Sequence, residues 1–163
     1  MLLAVLTVSD RCSQGSAIDT AGPALVALLR QQWPAAHIES ALVPDEEDKI
    51  AAHLEQWSAA GAALILTAGG TGLSPRDRTP EATLRVLDRQ APGLSEAMRA
   101  KGAESNPFAW LSRGIAGLKG TTLIVNLPGS KRGAEESIAF ILPLLRHAIE
   151  VAAGAQNHPQ AQP

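Results

Sequence analysis

Short, uninterrupted apolar runs alternate along the chain with stretches where apolar residues recur every three or four positions, and polar loops rich in glycine or proline separate them. Leu2–Val8 is such a run, closed by Ser9-Asp10-Arg11, the pattern of a strand buried on both faces. Leu25, Leu28, Leu29 and Trp33 follow at helical spacing, with Asp19 or Thr20 placed to cap the helix and Pro34 to stop it. Residues 38–43 give a weaker strand pattern, after which Asp45 is placed to cap a helix carrying Ile50, Leu54 and Trp57 on its inner face. Residues 63–67 form a third apolar run, leading into Gly69-Gly70-Thr71-Gly72. Thr79-Pro80-Glu81 reads as a helix start, with a hydroxyl cap, proline at the first helical position and an acid favoured by the dipole; Val86 and Leu87 face inward from it. Periodicity is weak over residues 92–117, where Pro92-Gly93 and Asn106-Pro107 predict turns between short helices. Residues 122–126 are the last clear strand. Ile138, Ile141, Leu142, Leu145 and Ile149 mark a final helix, which Pro143 should kink or break because it lacks a backbone donor.

Strands alternating with helices imply an α/β fold, a mostly parallel sheet with helices on both sides, and ligands of such sheets bind beyond the carboxyl ends of the strands. Four segments fall there by sequence order: Ser9-Asp10-Arg11, Pro44-Asp45-Glu46, residues 69–77 and residues 126–130. With no internal repeat or separating linker, the chain reads as one domain over residues 1–153, followed by a polar, proline-containing tail at 154–163 that is expected to fray.

Composition narrows the function more than the fold. At 163 residues, 45% of them hydrophobic but only five aromatic, the core must rest on Leu, Ile, Val and Ala. A formal net charge of -2 argues against a general nucleic-acid binder, which needs a basic face to displace counterions, while leaving room for a local basic pocket that takes one small anion. Cys12 is the sole cysteine, so no intramolecular disulfide forms and nothing points to an oxidising compartment. The first apolar run lacks a basic leader and falls well short of the roughly 20 residues that cross a bilayer. The expectation is a cytoplasmic protein with neither membrane nor nucleic-acid partners.

Within the four segments, Gly69-Gly70-Thr71-Gly72 leaves a strand directly, where glycines permit a tight turn and close approach of N–H groups to an anion; a plain turn is the simpler reading. It is neither a P-loop nor a dinucleotide fingerprint. In Ser74-Pro75-Arg76-Asp77-Arg78, an aspartate lies between two arginines able to fork onto phosphate oxygens. Phosphates arrive with Mg²⁺ held by one or two carboxylates, for which Asp77 and Asp45 are the candidates; alternatively Asp45 only caps its helix and Asp77 only neutralises its arginines. Lys131 and Arg132 at a helix start oppose the dipole, a conflict relieved by a bound anion or by Glu135 and Glu136. Cys12 has no histidine close in sequence to activate it, and His37, His53, His147 and His158 show no metal-ligand spacing.

Taken in order, Thr7-Val8-Ser9-Asp10-Arg11, Asp19 with Gly22, Val43-Pro44-Asp45-Glu46, residues 67–72, Pro75-Arg76-Asp77, residues 79–83, Pro92-Gly93, Leu111-Ser112-Arg113 and residues 126–129 resemble the molybdopterin adenylyltransferase family, which includes the corresponding domains of gephyrin and its plant counterpart. The resemblance covers about residues 2–150; Ala68, where threonine or leucine is common, is a minor departure. It implies a three-layer α/β/α sandwich, usually a homotrimer, that transfers AMP from MgATP to molybdopterin and releases pyrophosphate. It further implies catalytic and Mg²⁺-holding roles for Asp45 and Asp77, a pterin-phosphate region at Ser112, and substrate contacts from Ser9, Asp10, Gly69, Gly70, Thr71, Gly72, Asn126, Pro128, Gly129 and Ser130; beyond the resemblance, Arg76, as a substrate contact, and Lys131 or Arg132 are the expected groups to offset charge on the departing pyrophosphate. With no molybdate-inserting domain in the sequence, metal insertion would pass to a separate insertase. The competing readings are a non-catalytic pterin- or nucleotide-binding scaffold of the same fold, or another enzyme on it, such as a molybdate-insertase domain or the nucleotide-cleaving domain of competence-damage-type proteins.

Overall fold

The computed structural model describes residues 1–155. Among them, β1 (Leu2–Val8), β2 (His37–Val43), β3 (Ala62–Ala68), β4 (Arg89–Gln90), β5 (Ala116–Lys119) and β6 (Thr122–Leu127) form one sheet in the order β2-β1-β3-β6-β5-β4. β2, β1, β3 and β6 run parallel, whereas β5 pairs antiparallel with β6 and β4 antiparallel with β5. The helices are α1 (Asp10–Ser13), α2 (Ala21–Gln32), α3 (Glu47–Ala59), α4 (Thr79–Val86), α5 (Pro92–Ala103) and α6 (Lys131–Ala152), with a 3₁₀ turn at Pro107–Leu111.

The pleat of β1 divides the core. Leu3 and Val5 pack with Leu25 and Leu29 of α2, Met98 of α5 and Ile138, Ile141 and Leu145 of α6. Ala4, Leu6 and Val8 face the other way, against Ile50, Leu54 and Trp57 of α3 and Ala82 and Val86 of α4. Two apolar faces on one strand require helices on both sides, which is the three-layer sandwich. Each fully buried leucine adds roughly 1.5–3 kcal/mol. After β1 the chain crosses to β2 on one side and then to β3 on the other, so a crevice opens where the direction of winding reverses, beyond the carboxyl ends of β1 and β3.

Several sequence expectations are corrected. Asp45 does not cap α3: Glu46 holds that position, and the Asp45 carboxylate is turned away from the helix start toward Gly70. Thr79 is the first residue of α4, not its cap, because its hydroxyl is committed to the glycine loop. Leu87 lies just past the helix, leaving Ala82, Thr83 and Val86 as the buried face. Pro92-Gly93 opens α5 rather than forming a turn; proline at a first helical position lacks a donor that would be unpaired anyway. Pro143 does not break α6, which runs unbroken over 22 residues because its exposed position leaves the buried Ile138, Ile141, Leu145 and Ile149 face intact. Of the two cap candidates, Thr20 holds the N-cap position of α2 without a side-chain bond, and Asp19, one residue before it, supplies one, its Oδ1 accepting from the Gly22 amide at 3.0 Å. Most of the tail expected to fray, residues 156–163, lies outside the described residues.

Candidate active site

β3 delivers the chain into the turn Gly69-Gly70-Thr71-Gly72, where positions 69 and 70 accept only glycine. Gly69 has φ +108° and Gly70 φ +62°, a region that side chains strain to enter. A Cβ on Gly69 would stand 2.2 Å from the Val8 carbonyl oxygen, and one on Gly70 would stand 2.3 Å from Thr79 Oγ1 and 2.4 Å from Asp45 Oδ1. Thr79 braces the turn from α4, its hydroxyl donating to Gly69 O at 2.8 Å and its amide to Gly70 O at 3.1 Å. From β6, the Leu127 carbonyl accepts the Gly69 amide at 3.1 Å, and Gly129 packs against the Gly69 backbone. The amides of Gly70, Thr71 and Gly72 have no backbone partner among the described residues.

Both candidate carboxylates rest on this turn. Asp45, at the end of β2, is 8% exposed, and its Oδ1 is buried against Gly70 with no hydrogen-bond partner. Burial, then the neighbouring charge of Asp10, pushes its carboxyl above the ordinary aspartate range; Asp77 adds to the effect. Asp77 lies on the other flank, its Oδ2 2.6 Å from where a Cβ on Gly72 would sit. Two acids 32 residues apart in sequence are thus drawn to glycines two positions apart.

Asp10, at the end of β1, knits the neighbourhood together. Its Oδ1 accepts from the Asp45 amide at 3.0 Å, and Arg76 forks onto both its oxygens, Nε and Nη2 each at 3.0 Å. The Arg76 hydrogen bond, then that of Asp45, holds Asp10 below the usual carboxylate range. Ser9 caps α1, its Oγ accepting from the Cys12 amide. Arg76 and Arg78 are paired with Asp10 and Glu47, so Asp77 does not serve to neutralise its flanking arginines. Lys131 and Arg132 face Glu135 and Glu136 one helical turn on, the local balance that removes their conflict with the dipole.

Next to the turn is a cavity of about 410 Å³. Gly70, Thr71, Gly72 and Asp77 form one wall; Pro128, Gly129 and Ser130 form a second. Ser112 and Asn126 also line it, and α5 and the 3₁₀ turn close it with Met98, Arg99, Phe108 and Leu111. Asn126 is committed inward: its Nδ2 donates to Thr67 Oγ1 and Thr83 Oγ1, each at 3.0 Å, and its Oδ1 accepts from the Ile115 amide. Ser130 Oγ caps α6 by accepting from the Gly133 amide. Of the residues expected at the site, Ser9, Asp10, Gly69, Asp45 and Arg76 stand behind or beside the turn rather than on the cavity wall.

Three features escaped the sequence reading. Arg113 donates to the carbonyls of Gly72 and Asp77, each at 2.7 Å, and pairs with Glu81. Burial is the largest influence on Glu81 and opposes its charge, but the Arg113 hydrogen bond, a backbone hydrogen bond and the charges of Arg113 and Arg78 together hold that carboxyl below its usual range. Arg99 lines the cavity while donating to the Ser112 and Gly114 carbonyls. Thr7 donates to Asp19 Oδ2 at 2.7 Å, and Gly22 has no room for a Cβ beside them. Arg113 and the Asp19–Gly22 pair sat within the recognised motifs; Arg99, in the weakly periodic stretch, carried no signal.

Residues 4–147 match the family described as probable molybdopterin binding domain. Gephyrin of Dictyostelium discoideum is 43% identical over 157 residues, a match covering 91% of this chain and 22% of that protein. Molybdopterin adenylyltransferase of Haemophilus influenzae is 40% identical over 138 residues, covering 83% of this chain and 70% of that protein. The chain therefore spans under a quarter of that gephyrin's length but most of the shorter enzyme. Among solved structures, the molybdopterin biosynthesis enzyme MoaB of Thermus thermophilus superposes with a TM-score of 0.86 at 47% identity, covering 94% of this chain and 97% of that one.

Proposed function

Since the chain belongs to the molybdopterin-binding domain family of molybdenum cofactor biosynthesis, we propose that it is a molybdopterin adenylyltransferase, moving AMP from ATP to the terminal phosphate of molybdopterin. The observation carrying this reading is the placement of Asp45 and Asp77 on one glycine turn beside a cavity of about 410 Å³. The expected absence of nucleic-acid and membrane partners and a cytoplasmic location belong to the same reading. Among the described residues no helix is long and apolar enough to cross a membrane. A homotrimer and hand-over of the product to a separate molybdate insertase complete it.

The donor set fits Mg²⁺ brought in by a nucleotide. Asp45 Oδ1 is a buried carboxylate oxygen lacking a partner, and three acids (Asp10, Asp45, Asp77) crowd one another there. The described residues offer no group of three or more His, Cys, Asp or Glu able to hold an ion unaided, which suits an ion that keeps waters and phosphate oxygens in its shell. Asp45 and Asp77 would hold it; when bound, it supplies positive charge against the ATP phosphates.

In the transfer, a terminal phosphate oxygen of molybdopterin forms a bond to the α-phosphorus of ATP while the bond to the pyrophosphate oxygen breaks in line. Such a reaction needs positioning and charge neutralisation more than covalent assistance. The amides of residues 70–72, without a backbone partner among the described residues, are available to phosphate oxygens. Ser112 and Ser130 sit on the cavity wall to orient the pterin phosphate, and Asp10, through the Asp45 amide, fixes the end of β2. Charge on the departing pyrophosphate falls to Arg76, Lys131 or Arg132, released from their surface carboxylates. The test mixes protein, MgATP and molybdopterin and looks for adenylylated pterin with pyrophosphate. Ligand uptake without pyrophosphate would make the chain a binding scaffold instead.

A further inference from the structure

Asp77 has to be presented by a loop poorly equipped to hold itself. Between β3 and α4 the chain contains glycines at 69, 70 and 72, and residues 73–76 are exposed. Within that excursion, the Asp77 amide bonds the Ser74 carbonyl, and the Arg76 amide bonds Ser74 Oγ. A glycine-rich, solvent-exposed loop of this kind samples many backbone states unless something outside it selects one.

The Arg76 and Arg78 side chains tie the loop outward to Asp10 and Glu47, and Arg113 holds its backbone. The Arg113 Nε donates to Gly72 O and its Nη2 to Asp77 O, each at 2.7 Å, so one planar group joins the two feet of the excursion. Its own amide donates to Thr71 O at 2.8 Å, and its Nη1 is anchored on Glu81 in the first turn of α4. The residue is seated in turn: Arg99 of α5 donates to Ser112 O and Gly114 O on either side of it, and Ile115 is tied to Asn126 of β6. Pairing with Glu81 alone would need only one edge of the guanidinium; here two of its nitrogens go to loop carbonyls. Arg113 does not line the cavity, so it can act on a substrate only by way of the loop.

We propose that Arg113 is a positioning residue for the transfer, fixing Asp77 by clamping the backbone at Gly72 and Asp77; this rests on the adenylylation reading for its catalytic consequence. Lysine, a point charge without the fork, cannot replace it.

The test compares the full-length protein with Arg113→Lys and Glu81→Gln, reading amide hydrogen exchange over residues 70–78, melting temperature and steady-state kinetics. In Arg113→Lys, exchange in that loop quickens while β1, β3 and β6 stay protected. Its kcat falls about 10- to 100-fold, as misplacement of a reacting group does, with KM for molybdopterin unchanged. Glu81→Gln retains both carbonyl bonds and keeps loop protection and kcat close to those of the parent. An Arg113→Lys loop as protected as the parent's overturns the assignment, as does a loosened loop with unchanged kcat. Equal damage from Glu81→Gln would reduce Arg113 to an ion-pair partner, and loss of folding in Arg113→Lys would make it a determinant of stability; either result overturns the proposal. Exchange is read without turnover, so a parent protein making no adenylylated pterin would sink the adenylylation reading while the loop measurement still decided the clamp.

Discussion

Asp45 carries a charge that the fold does little to compensate. Its Oδ1 is buried without a partner, and burial and Asp10 together raise its pKa above the ordinary 3.8. A folded-state pKa above the unfolded value means that the folded chain keeps its proton longer. As pH rises past the ordinary aspartate value the unfolded state gains from ionisation first, and stability falls until Asp45 ionises in the folded state as well. Asp45→Asn should therefore be more stable than the parent at neutral pH while losing adenylylation. Melts recorded from about pH 3 to 7 would show the two proteins diverging as pH rises; an Asn variant that melts lower at neutral pH would contradict the assignment. Asp77 differs. Its carboxylate has no hydrogen bond or ion pair among the described residues, so Asp77→Asn should shift stability by no more than about 0.5 kcal/mol yet abolish product formation. Normal turnover by that variant would remove Asp77 from the mechanism.

At the scale of elements, the sequence revealed those whose burial is symmetrical or periodic. β1, β3 and β6 are buried on both faces and read as plain apolar runs; Ile50, Leu54 and Trp57 of α3 give a clean stripe. β4 and β5 left no such trace, being two and four residues long and partly exposed at the antiparallel edge. α5 buries only Ser95 and Met98, too thin a stripe to show a helix of 12 residues. The same limit governed the site. Asp45, Asp77 and the glycine turn were legible because motif order placed them at strand ends. The Arg113 contacts were not, because they run to backbone carbonyls 36 and 41 residues away, on which side-chain identity leaves no mark. Pro143 shows propensity overridden by packing: α6 tolerates the missing donor because four large side chains on its inner face stay buried. Pro143→Ala restores that donor at an exposed position and should stabilise the protein by about 1–2 kcal/mol, the helical gain being partly offset by the freer unfolded chain. Chemical denaturation would register it as a higher midpoint with an unchanged slope.

At the scale of the whole molecule, the site is assembled from the ends of four parallel strands: Asp10 after β1, Asp45 after β2, the glycine turn after β3 and Pro128-Gly129-Ser130 after β6. Hydrogen bonds within the protein already hold two of these segments. The turn is fixed by Thr79 and Leu127, and the end of β2 by Asp10. Chelation should consequently abolish turnover while leaving the melting temperature almost where it was, unlike a domain whose fold is organised around its ion. Mg²⁺ alone, offered two carboxylates and no closed cage among the described residues, should raise the melting temperature little. MgATP should raise it further, through a stabilisation that grows with the logarithm of ligand excess and reaches about 2.7 kcal/mol at a hundredfold excess over Kd, because the phosphates complete the shell that the protein leaves open. The increment should shrink in Asp77→Asn, where the ion loses a ligand but the turn keeps its shape. Calorimetric scans with EDTA, Mg²⁺, ATP and MgATP separate these states. A collapse of the fold on chelation, or equal stabilisation by ATP with and without the metal, would show that the two acids do not meet their ion on the nucleotide.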